Sequence, residues 1–233
     1  MGKGALGVLM KVSGADDYQM TVTSVEKINE GYMRLGFTAE RLLEEHPPHP
    51  TQWVRMWFPG DKPHQRAYTL LDQDVASGSF SLAFALPADG PASNWARGAS
   101  VGDQIDATML GSNFQLPTPL PKEFVVFGDA ASLPAINTLL DAIGETPARV
   151  FLEWQEELEA TLPVHAKPQH EVTWVQRLDG GRLLREQAES VTVSEGTFAW
   201  VASDWRTTRA ITKTLKSVHG LPKTSIKAQA YWK

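Results

Sequence analysis

Arg66-Ala67-Tyr68-Thr69 and, beyond residues 70–89, Gly90-Pro91-Ala92-Ser93-Asn94-Trp95-Ala96 decide how the rest of this sequence is read. On a strand, Arg66 and Tyr68 project from one face. A guanidinium is a permanently charged, two-pronged donor suited to a diphosphate. The Tyr68 ring can lie along an isoalloxazine. Thr69 presents a hydroxyl and a backbone NH to the flavin's polar edge, and the small Ala67 completes the motif. The second segment reads as a turn entering a short helix, Ala92–Arg97. Free NH groups around Ala92, Ser93 and Asn94, with the positive end of the helix dipole, complete a diphosphate cradle. Either motif alone is short enough to arise by chance. In this order they predict a flavin, and FAD rather than FMN, because a monophosphate has no use for that cradle.

The composition permits this reading. With 233 residues, 42% hydrophobic and 21% charged, the chain is an ordinary globular protein of one large or two small domains. It contains no cysteine. That excludes disulfides, thiolate zinc sites, cysteine-ligated iron–sulfur clusters and a cysteine nucleophile, and it fits a reducing cytosol. No apolar run approaches the length of a membrane span and no signal peptide is visible, so a cytoplasmic protein without membrane insertion is expected. The formal charge of −5 argues against a nucleic-acid partner. An anionic ligand must then be met by a local basic patch.

Working outward, residues 1–120 read as short strands between turn signals: Met20–Ile28, Tyr32–Phe37, Trp53–Phe58, Ala67–Leu71, Ser79–Leu86 and Gln104–Met109. Their spacing predicts a six-stranded antiparallel FAD-binding barrel, closed or nearly so. The Pro-rich Leu116-Pro117-Thr118-Pro119-Leu120-Pro121 reads as a linker. Residues 121–233 then alternate: a buried strand at Glu123–Phe127, a helix from Ser132 to Ile143, and strands at Arg149–Glu153, Glu171–Gln176 and Phe198–Ala202. A helix at Asp204–Val218 and a strand at Ser225–Tyr231 follow. This is the rhythm of a parallel α/β nucleotide-binding-type domain.

Both halves together resemble the siderophore-interacting protein family, FAD-containing ferric-siderophore reductases on a ferredoxin-reductase-like scaffold. Trp53-Val54-Arg55-Met56-Trp57-Phe58-Pro59 is similar to the family's strand before its flavin motif, and Arg66-Ala67-Tyr68-Thr69 to the motif itself. Gly90-Pro91-Ala92-Ser93 resembles its diphosphate turn. Gly128-Asp129 with Leu133-Pro134-Ala135-Ile136 resembles the opening of its second domain. Glu153, Thr173–Arg177, Trp200-Val201-Ala202, Arg209 and Tyr231-Trp232-Lys233 fall in order. The chain departs at Ala130-Ala131, where the family has Glu-Thr, and at Ser203-Asp204, where it has Gly-Glu.

Asp129 ends the second domain's first strand, where open α/β sheets bind ligands. It is a cofactor-binding candidate or, alternatively, a helix cap. On the helix from Asp204, residues Arg206, Arg209, Lys213 and Lys216 fall on one side, opposite Ile211 and Leu215. A solvated face is one account. Two arginines in the first turn oppose the helix dipole, however, which suits an anion bound there. The resemblance implies that Arg177 can meet the 2′-phosphate of NADPH; a plain surface Arg is the alternative. Glu153, Glu156, Glu157 and Glu159 read as a solvated acidic face. His46-Pro47-Pro48-His49 does not read as a metal site, because the prolines prevent the helical geometry such pairs use.

The function implied is FAD-dependent reduction of a ferric siderophore with electrons from NAD(P)H or ferredoxin. Outer-sphere transfer needs no acid–base residue, so no catalytic side chain is expected. Arg55, Arg206 and Arg209 are the candidates to meet an anionic ferric siderophore. The alternatives are a general NAD(P)H:flavin or quinone reductase and a non-catalytic FAD-containing siderophore-binding protein.

Overall fold

The structure, a computed structural model, describes residues 16–60, 64–86 and 89–233. The chain divides between Gln115 and Leu116 into two compact units.

The first unit is one antiparallel sheet of seven strands: β1 Asp16–Asn29, β2 Tyr32–Thr38, β3 Trp53–Phe58, β4 His64–Thr69, β5 Leu71–Asp74, β6 Ser79–Ala85 and β7 Gln104–Met109. Their order is β4-β3-β7-β1-β2-β6-β5. The alternation of the sequence sets which face is buried. Met20, Val22, Val54, Met56, Leu82 and Phe84 point inward and are almost fully buried. Among the described residues, two helices belong to this unit, α1 Leu42–Glu45 and α2 Pro91–Gly98.

The count of six strands is corrected to seven, and the barrel is a half-barrel. The segment read as one strand, Ala67–Leu71, is broken at Leu70, whose NH bonds to the Gln52 carbonyl at 2.8 Å. Asp72 just beyond it takes a positive φ of 48°. The chain therefore leaves one edge of the sheet as β4, paired with β3, and joins the other edge as β5, paired with β6. One continuous segment supplies both edges. The chain itself bridges the gap, where a closed barrel would have a ladder of hydrogen bonds.

The second unit holds a five-stranded parallel sheet of order β10-β9-β8-β11-β12. Its strands are β8 Glu123–Asp129, β9 Ala148–Trp154, β10 His170–Gln176, β11 Thr197–Val201 and β12 Ile226–Ala228. The central β8 is buried from Phe124 to Asp129, as a strand covered on both faces must be. Three helices cover it: α3 Leu133–Ile143, α4 Arg182–Ser190 and α5 Trp205–Ser217. Helices α4 and α5 pack Leu184, Ala188, Ile211 and Leu215 on the face of Val125 and Phe127. On the other face α3 lies so close that a side chain at Gly128 would collide with Ile136 and Ser132. Helix α4 was not foreseen: its sequence, Arg-Leu-Leu-Arg-Glu-Gln-Ala-Glu-Ser, buries only Leu184 and Ala188 and gives little apolar period. The last strand is shorter than expected, ending at Ala228.

Candidate flavin site and the edge of the parallel sheet

The two opening motifs converge on one aromatic cluster in the first unit. Tyr68 on β4 packs its ring at 4.3 Å from Phe84 and edge-on at 6.0 Å from Phe58. Trp95 on α2 has the same two neighbours, at 6.4 and 5.8 Å. Burial pushes the Tyr68 hydroxyl well above its ordinary pKa, so it stays protonated and can donate. Thr69 is buried beside it, and Ala67 is exposed.

Arg66 lies opposite Met56 in the β3–β4 register, on the face that Tyr68 shares. It is exposed, and the bond recorded for its guanidinium is to the carbonyl of Gln65 at 2.9 Å. No carboxylate partner is recorded for it among the described residues. Helix α2 opens on Gly90 with Pro91 in its first turn and no acidic residue there. Its first internal bond runs from the Asn94 NH to Gly90 O at 2.8 Å. The NH groups of Ala92 and Ser93 precede that bond and are open to an anion. The space beside Gly90 is empty within 4 Å. The first turn of α2 carries no acidic residue, and Asp89, just before Gly90, is paired with Arg97 at 3.1 Å. A cavity of about 290 Å³ between Thr38–Glu44 and Val75–Gly78 has none of these residues in its lining.

Arg55 is placed elsewhere. Val54, Met56 and Phe58 face the core with Tyr68, so Arg55, between them, points to the opposite face with Trp53 and Trp57. Its guanidinium lies 4.6 Å over the Trp53 ring, and burial lowers its pKa. Arg55 therefore does not share a face with Arg66 and Tyr68.

In the second unit the polar residues at the carboxyl ends of the strands form one network. Arg177, just past β10, is ion-paired with Glu153 of β9 and with Asp204 at 3.0 Å. Its flat face lies 4.7 Å over Trp232. The Trp232 indole NH donates to Asp129 at 2.8 Å, and the other Asp129 oxygen accepts from the Ser132 NH at 2.9 Å. Both Asp129 oxygens are thus occupied, one of them as the cap of the turn into α3. Burial raises the Asp129 carboxyl above its usual range, the bonds from Trp232 and Ser132 offsetting this only in part. Burial likewise raises Glu153 against the pull of Arg177, helped by the charges of Asp129 and Asp204, and one of its oxygens has no hydrogen-bond partner among the described residues. At Asp204 burial acts the same way, but bonds from Thr207 and Arg177 win and hold it low.

Two expectations change here. Glu153 is no part of a solvated face: its side chain is 1% exposed. Arg177 is paired with two carboxylates and packed on an indole, so it is no plain surface Arg.

Helix α5 begins with Asp204 as N-cap, accepting from the Arg206 NH at 2.8 Å and the Thr207 NH at 3.1 Å. The anion that the helix dipole asks for is therefore Asp204 itself. Arg206 and Arg209 are exposed, and no ion pair is recorded for either among the described residues. Arg209 lies 5.4 Å over the half-exposed Trp205 ring. Among the described residues no group of three or more His, Asp or Glu could hold a metal ion. No helix among them is long and apolar enough to cross a membrane.

Comparison with known proteins decides the family. Residues 19–110 match the siderophore-interacting FAD-binding domain, and residues 121–233 match the siderophore-interacting protein family. The chain belongs to the siderophore-interacting protein family. Among curated proteins, this siderophore-interacting chain is 36% identical over its whole length to the mycobactin import ATP-binding/permease protein IrtA of Mycolicibacterium smegmatis. It is 32% identical to the Mycobacterium tuberculosis protein of the same name. It spans only 28% of the length of each. Among solved structures, the siderophore-interacting protein of Acinetobacter baumannii superposes with a TM-score of 0.82 at 21% identity, over 94% of this chain and 90% of that one. A ferredoxin NADP+ reductase from Neisseria gonorrhoeae with bound FAD and NADP gives 0.66 at 15% identity, over 94% and 98%. These likenesses establish a ferredoxin-reductase-like fold. Sequence reasoning missed Trp232 as a partner of Asp129 and Arg177. Tyr231-Trp232-Lys233 was visible as a family feature, but a contact 103 residues apart leaves no local signal.

Proposed function

We propose that this siderophore-interacting protein reduces Fe(III) held in an anionic siderophore, with FAD held by the first unit. The observation that carries this is the combination of an exposed Arg66, with no carboxylate partner among the described residues, and an α2 whose first turn holds no acidic residue. Arg66 would fork onto the diphosphate, and the NH groups of Ala92 and Ser93, with Asn94 beside them, would complete its shell. Tyr68, protonated and packed on Phe84, and the backbone of Thr69 would border the flavin ring. FAD, when bound, supplies the exchange between a two-electron donor and one-electron acceptors. One NAD(P)H, losing two electrons and a proton, accounts for two Fe(III) reduced to Fe(II); a ferredoxin would deliver the electrons singly. Iron is released because a hard, oxygen-rich chelator holds Fe(II) far less tightly than Fe(III). The names of the mycobacterial relatives, which refer to mycobactin import, support a siderophore as the iron carrier.

The direct test is spectroscopic. The purified protein is expected to be yellow and to release FAD, with bleaching by NADPH or reduced ferredoxin under anaerobic conditions and recovery of the oxidised spectrum on adding a ferric siderophore. FMN, or no flavin in a folded preparation, would overturn the assignment. Bleaching by NADPH with return by quinones alone would favour a general reductase.

Arg206 and Arg209 remain the proposed contacts for the substrate's charge. Replacing both by Gln is expected to raise KM for a trianionic ferric catecholate several-fold and to leave a neutral ferric hydroxamate unchanged. Rising salt should mimic the change, because exposed charges are screened over about 8–10 Å. Equal effects on both substrates would mean that this face is only solvated.

A further inference from the structure

Strand β11 gives way to α5 through Ala202-Ser203-Asp204, at the carboxyl edge where open parallel sheets take ligands. The first residue of α5 is Trp205, and it is 50% exposed. The other seven of the chain's eight tryptophans are all buried or partly buried. A large indole face in water is the less common arrangement and gains from being covered. Its backbone is held in place: the Trp205 NH donates to Trp232 O at 3.0 Å, and Asp204 caps the helix start on the NH groups of Arg206 and Thr207. Arg209, one helical turn on, lays its guanidinium 5.4 Å over the ring. Among the described residues that guanidinium is the partner recorded for the ring, and neither Arg206 nor Arg209 has an ion pair. An open indole between two unpaired guanidiniums suits an aromatic anion, whose ring can stack while its charge is met.

Two kinds of aromatic anion fit that description, a dinucleotide and a chelate whose iron-binding oxygens sit on aromatic rings. The helix start separates them. A phosphate seeks the free NH groups of a helix N-terminus, and here Asp204 occupies those of Arg206 and Thr207 and adds a negative charge beside them. A chelate spreads its charge over several oxygens around the metal and asks only for cations at its rim. We propose that Trp205 is a specificity-determining residue for the iron carrier: its open ring stacks on a catecholate or phenolate ring of the chelate while Arg206 and Arg209 meet the ring oxygens. The protein then prefers aromatic siderophores to ringless ones of equal charge. This rests on the reading of an anionic siderophore as substrate, but it requires no electron transfer.

The test uses Ga(III) chelates, which share the charge and shape of the ferric ones and are not reduced by a flavin. Calorimetry on the FAD-loaded protein compares a trianionic tricatecholate with a trianionic citrate–hydroxamate chelate that has no aromatic ring. Trp205→Ala is expected to weaken the tricatecholate about tenfold or more, as loss of a stacking partner does, and the ringless chelate less than about twofold. Trp205→Phe should keep most of the preference, because it keeps a π-face. Replacing Arg206 and Arg209 by Gln should weaken both chelates alike, which separates charge from stacking. Circular dichroism confirms the fold of each variant, and Trp205→Leu, apolar without a π-face, carries the test if the Ala variant unfolds. Equal losses for both chelates, unchanged affinities, or no tricatecholate binding by wild type would overturn the proposal. So would a Trp205→Ala defect confined to NADP+, which would assign the indole to the dinucleotide. Ga(III) tricatecholate binding that depends on Trp205, in a protein that fails to reduce the ferric chelate, would sink the reductase reading and leave this one standing.

Discussion

Replacing Arg177 by alanine is expected to destabilise the parallel α/β unit by about 3–5 kcal/mol, the usual consequence of orphaning buried charges. The magnitude follows from burial: the Arg177 side chain is 15% exposed, Glu153 1% and Asp204 7%. Water cannot take over the lost partner. Urea unfolding followed by the tryptophans of that unit should show the deficit, and its dependence on pH identifies the cause. Burial already holds the Glu153 carboxyl above its ordinary value of 4.5, and loss of Arg177 pushes it further up. A carboxyl with a raised folded pKa favours folding below its ordinary value and ceases to do so as pH rises through the folded one. The deficit of the variant is therefore largest at neutral pH and shrinks on acidification. A deficit under 1 kcal/mol, or one flat with pH, would show that Arg177 is not the counterion of this cluster. The double variant Arg177→Met, Glu153→Gln should recover much of the loss, because it removes the charges as well as the pairing.

The second large effect falls on the cofactor and spares the fold. Arg66→Ala is expected to weaken FAD binding about ten- to hundredfold, the equivalent of a charged hydrogen bond worth roughly 1.5–3 kcal/mol. Arg66 is exposed and makes no ion pair among the described residues, so unfolding should shift by no more than about 0.5 kcal/mol. Arg66→Lys should retain an intermediate amount of flavin, because an ammonium supplies the charge without the fork. Flavin absorbance per mole of purified protein reads the outcome directly. Unchanged occupancy in Arg66→Ala would remove this residue from the diphosphate site.

Much of this architecture was written locally. The β-then-α/β division, the linker at 116–121 and the strands β2, β3 and β7 follow from alternation and turn residues acting over a few positions. Tyr68 and Trp95, one from each opening motif, pack on the same Phe58 and Phe84, a meeting that no local pattern announces. What escaped were features fixed at a distance. The break at Leu70 depends on a bond to Gln52, and nothing in the local apolar pattern distinguishes it from an unbroken strand. Glu153 looked like one more member of an acidic run, yet strand register carries it under Arg177 while Glu156 remains at the surface. The helix start beside Arg206 and Arg209 looked in want of an anion, and Asp204 caps it, whatever those two arginines meet outside. In each case the residue type was legible and the partner was not.

Among the described residues strand β4 pairs on one side only, with β3, because the chain turns away at Leu70 to become β5. Its other rim of backbone NH and carbonyl groups is a potential template for a strand from a neighbouring molecule. Arg66, exposed on that strand, acts as a guard there: a charge on an edge discourages a second chain from zipping on. The guanidinium proposed for the diphosphate would then also protect solubility. Flavin-depleted Arg66→Ala protein should accordingly precipitate sooner on storage than flavin-depleted wild type, for a reason unrelated to redox chemistry.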